Sequence, residues 1–152
     1  MKNRRKYFRV KLHNPLCAKM TIKYVYGKAV KTGYANVCVN DIGPGGLKFL
    51  SNLKLQANPN IVLEFELNIL NTTLKVYGTI VRIEEIEPDI FGYGVEFVFI
   101  EDTFRTKLIS IFNELAIYLK KNIKSPNGNF CKLGEAGCFK TKKQKNSDST
   151  YV

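Results

Sequence analysis

The sequence predicts an all-β domain with a C-terminal helix, in its simplest form a small antiparallel barrel closed by that helix. Three observations support this. Apolar and polar residues alternate with period two through most of the first hundred positions, as half-buried strands require. Clusters of glycine, proline and asparagine interrupt the alternation at short intervals, where strands reverse direction. After residue 102 the apolar spacing lengthens to three and four, the period of an amphipathic helix.

Leu16, Ala18, Met20, Ile22 and Tyr24 share one face of a first strand, with Lys19, Thr21 and Lys23 on the other. Gly27-Lys28 reads as a turn, and a second strand runs from Tyr34 to Val39. It enters the loop Asp41-Ile42-Gly43-Pro44-Gly45-Gly46, after which Leu47 to Leu50 resumes as a strand. Ile61, Leu63, Phe65 and Leu67 alternate with Glu64 and Glu66, and Asn71-Thr72-Thr73 reads as a hairpin turn into Leu74–Ile83. Residues 84–89 read as an acidic loop, and Phe91, Tyr93, Val95, Phe97 and Phe99 as the last strand.

In the helix, Phe104, Leu108, Ile111, Phe112, Leu115 and Leu119 form the apolar stripe. Asp102 or Thr103 suits its N-cap, and Lys120 and Lys121 suit the negative end of its dipole. Pro126 and Gly128 prevent its continuation. At 152 residues the chain accommodates one ordinary domain and a short extension. The expected plan is a domain over 1–123, with an N-terminal segment at 1–12, a barrel at 13–100 and a helix at 102–123. A basic, flexible tail follows at 124–152.

The net charge is +11, but it is unevenly placed: residues 1–31 carry +10, residues 32–119 carry −5 and residues 120–152 carry +6. A uniformly basic surface would favour nonspecific polyanion binding; this distribution favours a local anion site near the N-terminus. No apolar run reaches the length of a membrane span, and the basic start lacks the apolar stretch of a signal peptide. A cytoplasmic protein is expected.

An enzyme is not expected. His13 is the only histidine and reads as a loop residue beside Asn14-Pro15, so no triad can be assembled. Glu84, Glu85 and Glu87 read as a solvated run, and Arg82 as a surface ion-pair residue that could alternatively line a ligand pocket. Cys17 and Cys38 read as small strand hydrophobes, Cys131 and Cys138 as tail thiols. The six residues between the last two lie outside zinc-knuckle spacing, so neither a metal nor a cofactor is expected, with a metal site or a redox pair as the lesser alternative. The lysines at 140, 142, 143 and 145 read as a solubilising end.

Two segments carry the chemistry. In Arg4-Arg5-Lys6-Tyr7-Phe8-Arg9 the guanidinium forks of Arg5 and Arg9 can hold phosphate in bidentate fashion, grip the O6/N7 edge of guanine or stack on a base. In the Asp41–Gly46 loop, glycines admit close approach of a ligand, and Asp41 can accept from guanine N1 and N2 donors. Each segment alone has a plainer explanation: a solvated basic end, and a tight turn whose glycines supply positive φ.

Together they resemble the PilZ domain family of cyclic di-GMP receptors. That family's pattern is RxxxR ahead of a barrel, then (D/N)xSxxG some thirty residues on. Arg5 and Arg9 match the first; Asp41 and Gly46 match the second. Phe91-Gly92-Tyr93-Gly94-Val95-Glu96-Phe97 followed by a helix is similar to the family's last strand and helix. The resemblance implies a six-stranded antiparallel barrel with the arginine segment folding over its mouth. It further implies that Arg5 and Arg9 grip phosphates and guanines, that Arg4 assists, and that Asp41 and the loop backbone read a guanine.

Gly43 stands at the family's serine position, which removes a hydroxyl worth about 0.5–1.5 kcal/mol net. The leading expectation is a non-enzymatic cyclic di-GMP receptor that relays its signal to an unidentified protein partner in motility, exopolysaccharide synthesis or surface attachment. The alternatives are a ligand-independent PilZ-type adaptor and, third, a small nucleic-acid-binding barrel. No specific nucleic acid is expected as a partner.

Overall fold

The computed structural model describes residues 7–121, 127–131 and 137–139. Seven strands precede one helix: β1 (Val10–Val25), β2 (Lys28–Ala29), β3 (Tyr34–Gly43), β4 (Gly46–Ser51), β5 (Ile61–Ile69), β6 (Thr72–Glu87), β7 (Ile90–Val98) and α1 (Asp102–Lys120). All pairings are antiparallel, in the order β2-β1-β3-β4-β7-β6-β5, and β1 also pairs with β5. That last pairing closes the six longer strands into a ring, so the expected six-stranded barrel is present.

The alternation seen in the sequence becomes the inside and outside of this ring. Leu16, Ala18, Met20, Val37, Val39, Leu47, Phe65 and Val95 point inward and fill one core. At its centre Phe49 stacks on Tyr93 at 5.0 Å and meets Phe65 edge-on at 5.3 Å. The helix lays Leu108, Phe112 and Leu115, all buried, against this core. Its N-cap is Glu101, which makes no side-chain capping bond, rather than Asp102 or Thr103.

Several strands extend further than the sequence suggests. β1 continues through His13, Asn14 and Pro15, read above as a loop, and its register against β3 shifts between Lys11 and Leu16. The bulge hides the strand because it breaks the period-two pattern. The acidic run at 84–87 belongs to β6, with Pro88-Asp89 forming the turn and Asp89 at φ 66°. Both faces there are exposed, so no apolar alternation marks it. Tyr26-Gly27 and Leu70-Asn71 each have positive φ at both positions, the twist-matched geometry of a two-residue hairpin.

The stretch beyond residue 125 is in part a component of the fold. Gly128 and Phe130 bridge to Ile69 and Leu16, and the backbone N–H groups of Cys17 and Cys131 donate to Asn129 and Pro15 at 2.8 and 2.7 Å. Phe139 is buried beside Cys38, Leu50 and Ile90. Cys17 and Cys138 form a disulfide across 121 positions, which corrects the reading of Cys138 as a tail thiol. The long sequence separation conceals the contact, because only the folded-back chain brings the two together. The lysines at 140, 142, 143 and 145 lie outside the described residues.

Tyr93 also fixes the irregular connection between β4 and β5. Its hydroxyl donates to Leu53 O at 2.7 Å and accepts from Leu55 N–H at 2.8 Å. We expect Tyr93→Phe to lower the unfolding free energy by about 1–3 kcal/mol in urea titrations, with an unchanged m-value. Burial raises the Tyr93 pKa above the ordinary 10.0. Its contribution is therefore complete below pH 10 and is lost as pH rises through the folded-state value. The phenylalanine variant should show a shallower alkaline decline than the parent chain.

Candidate functional site

Arg9 immediately precedes β1, whose first rungs against β3 are Val10 with Ile42 and Lys11 with Asp41. This register carries Arg9 to Asp41. The guanidinium Nη1 lies 3.6 Å from Asp41 Oδ1, both side chains being largely buried. That separation is an ion pair without a hydrogen bond. Asp41 Oδ1 is fully buried and accepts no hydrogen bond from any described residue. A buried carboxylate oxygen without a donor is costly, so the site favours a ligand that brings N–H groups to it.

The stretch expected as a loop at 41–46 is a tight hairpin: Asp41 and Gly43 end β3, Pro44-Gly45 turn, and Gly46 opens β4. Its glycines serve space and not positive φ; among described glycines only Gly27 and Gly128 adopt that conformation. A Cβ on Gly43 would collide with the carbonyl oxygen of Phe8 and lie 3.1 Å from Arg9 Cδ. A Cβ on Gly46 would collide with the carbonyl oxygen of Val95 and lie 3.1 Å from Arg9 Nη2. Residues 7–9 thus rest directly on the hairpin. A serine at position 43 has no room beneath them, so Gly43 marks a close approach of two backbones as well as a lost hydroxyl.

One contributor escaped the sequence reading. Arg105 on α1 donates to Pro44 O at 2.6 Å, and its guanidinium sits 4.6 Å from the centre of the Tyr7 ring. It therefore ties hairpin, N-terminal segment and helix together. The available signal was its spacing: Arg105, Leu108, Phe112 and Leu115 fall on one helical face, so a cation interrupts the buried stripe.

Asp41 also opens a row across the sheet. It pairs with Lys48, Lys48 with Gly94, and Gly94 with Arg82. Core residues Leu47 and Phe49 flank Lys48, so its side chain faces outward, the face on which Arg82 is exposed. Gly94 leaves the floor between the two cations low. Arg82 makes no ion pair among the described residues, contrary to the surface-pair reading. Arg4 and Arg5 lie outside the described residues; Arg9, Asp41, Gly43 and Gly46 are brought together.

Gly43→Ser should displace residues 7–9 from the hairpin. We expect a loss of about 1–3 kcal/mol in stability and faster tryptic cleavage at Arg9. Arg105→Ala, which frees the same segment without adding bulk, should accelerate that cleavage as well. Cleavage at the parent rate in both variants would show that the segment is held elsewhere.

Comparison with known proteins bears on this arrangement. No curated protein matches the chain in sequence. Its fold is similar to that of Escherichia coli YcgR in complex with c-di-GMP, with TM-score 0.57, 16% identity, and coverage of 78% of this chain and 49% of that one. The Bacillus subtilis inhibitor of motility MotI/DgrA gives TM-score 0.56, 15% identity and coverage of 80% and 53%. The K. pneumonia MrkH–c-di-GMP complex gives 0.57, 15%, and 80% and 57%. The chain spans about half the length of these longer proteins. At such identities the likeness is one of fold. The PilZ domain family model matches residues 3–114, from the arginine segment into the helix, and on that match this chain belongs to the PilZ domain family.

Proposed function

We propose that the chain is a non-enzymatic receptor for cyclic di-GMP. The observation that carries this is the Arg9–Asp41 pair: a guanidinium and a carboxylate meet at 3.6 Å, and one carboxylate oxygen is buried without a donor among the described residues. Guanine N1–H and N2–H groups would supply those donors, and Arg9 would turn its fork to a phosphate or a guanine edge. Arg5, four residues earlier in sequence, would supply the second fork and Arg4 an auxiliary charge. Gly43 and Gly46 keep the floor flat enough for backbone, cation and ligand to meet. Lys48 and Arg82 extend the cationic row toward the second half of a dianion.

The solved complexes of YcgR and of MrkH with c-di-GMP support the ligand assignment. Signal output follows from the position of residues 7–9. A ligand held between Arg9 and Asp41 fixes that segment in a new arrangement and presents a changed surface to a protein partner, in motility, exopolysaccharide synthesis or surface attachment. The packing of residues 7–9 on Gly43 gives the missing serine a structural reason, which weakens the case for a ligand-free adaptor. Exposed Glu84, Glu85 and Glu87 continue the strand that carries Arg82, and they disfavour a nucleic-acid track.

Calorimetric titration tests the assignment. Cyclic di-GMP should bind and GMP, as control, should not bind comparably. The double variant Arg5→Ala/Arg9→Ala should abolish binding, and Asp41→Ala should weaken it by about ten- to a hundredfold, the range for one charged hydrogen bond. Unchanged affinity in the double variant would place the ligand elsewhere.

A further inference from the structure

The chain has four cysteines, spread from β1 to the C-terminal segment, and folding gathers all of them at one place on the outside of the barrel. Cys17 and Cys38 are direct partners across β1 and β3. Their neighbours Leu16, Ala18, Val37 and Val39 fill the core, so both cysteines face outward. Cys131 and Cys138 come from the segments laid against this face. Cys17 and Cys138 are joined with their Cα atoms 5.5 Å apart, and the Cys131 sulfur lies within 4.8 Å of both of theirs. The backbone N–H of Cys138 donates to Cys38 Sγ at 3.2 Å. Cys38 and Cys131 are both buried.

A structural disulfide uses two sulfurs and does not itself require a third and fourth beside it. A thiolate metal centre does. Zinc–sulfur bonds of about 2.3 Å set tetrahedrally hold sulfurs about 3.8 Å apart, and the sulfurs of Cys17, Cys131 and Cys138 already lie within 4.8 Å of one another. Backbone N–H donation to sulfur favours the thiolate and orients it. The spacing Cys131-x6-Cys138 is long for a zinc knuckle, but the cross-strand pair Cys17 and Cys38 already fixes the other half of the site on a rigid sheet. A knuckle is not needed when only two ligands come from the C-terminal segment.

We propose that, with its cysteines reduced, this cluster is a structural Zn²⁺ site. Cys17, Cys131 and Cys138 are ligands, and Cys38 fills the fourth position. The Cys17–Cys138 disulfide is the oxidised, metal-free form of the same site. A phosphine or dithiol reductant supplies two electrons, and two protons from solvent complete the conversion of the bond to two thiols. Zn²⁺ then displaces the thiol protons into solvent, so affinity falls as pH is lowered. Four protein sulfurs leave no open position for catalysis. The metal fastens the C-terminal segment to β1 and β3, and this holds whether or not the barrel binds a nucleotide.

The full chain, reduced with a phosphine and stripped of metal, would be titrated with Co²⁺ and then with Zn²⁺. One Co²⁺ per chain should bind with the intense visible and sulfur-to-metal charge-transfer bands of a tetrahedral thiolate site, and Zn²⁺ should displace it. Cys131→Ser and Cys138→Ser should each weaken binding by about a hundredfold or more. Zn²⁺ should raise the melting temperature of the parent chain and leave those variants unmoved. The stoichiometry is read on the unmutated chain, so a poorly folding variant does not decide the result. Uptake well below one equivalent by the reduced parent chain would overturn the proposal. So would affinity unaffected by either substitution, or a reduced chain that ignores both metals and only re-forms its disulfide.

Discussion

Both edges of β1 are hydrogen-bonded, to β3 on one side and to β5 on the other, and this double pairing is the constraint on which the rest depends. It closes the ring, buries the inward face of the strands around it, and fixes the height at which the chain enters the barrel. Arg9 lies one residue before the first rung and so has a determined position opposite Asp41. Cys17 lies midway along the same strand and has a determined partner in Cys38. Even the bulge at 12–15 contributes, since Pro15 offers the carbonyl that receives the Cys131 amide.

The hairpin between β3 and β4 shows how a glycine can be informative for a reason other than its backbone freedom. Gly43 and Gly46 adopt ordinary φ values; what they provide is the absence of a side chain where another carbonyl passes. Contact of that kind couples the N-terminal segment to strand geometry far more tightly than a solvated arm would be coupled. Arg105 completes the coupling from the helix side, through one hydrogen bond and one ring face. The helix therefore participates in holding the site as well as closing the barrel.

Much of this was legible in the sequence where a period or a motif repeated locally. The strands with one buried face, such as β5 with Phe65 and Leu67 inward and Glu64 and Glu66 outward, announced themselves through alternation. Arg9 and Asp41 were singled out because their two segments together match the paired motifs of the PilZ family. Features set by contacts between distant segments were not legible. The β6 extension is exposed on both faces and carries no apolar signal. The bulge in β1 erases alternation for four residues. Cys138 meets Cys17 only because a polar, tail-like sequence folds back over a sheet, and Arg105 acts through a hairpin sixty-one positions away.

The extension of β6 has one further consequence. Its residues up to Gly78 pair with β5, whereas from Thr79 to Glu87 they pair, among the described residues, with β7 alone, which leaves a strand edge several residues long open there. An open edge with apolar residues such as Val81, Ile83 and Ile86 exposed is a template for adding a strand from another molecule. Here Arg82, Glu84, Glu85 and Glu87 are interspersed along it, and an incoming copy would have to align its own charges against them or strip them of water. The acidic run thus acts as a guard on this unpaired backbone, keeping the extended strand from serving as a seed for sheet growth.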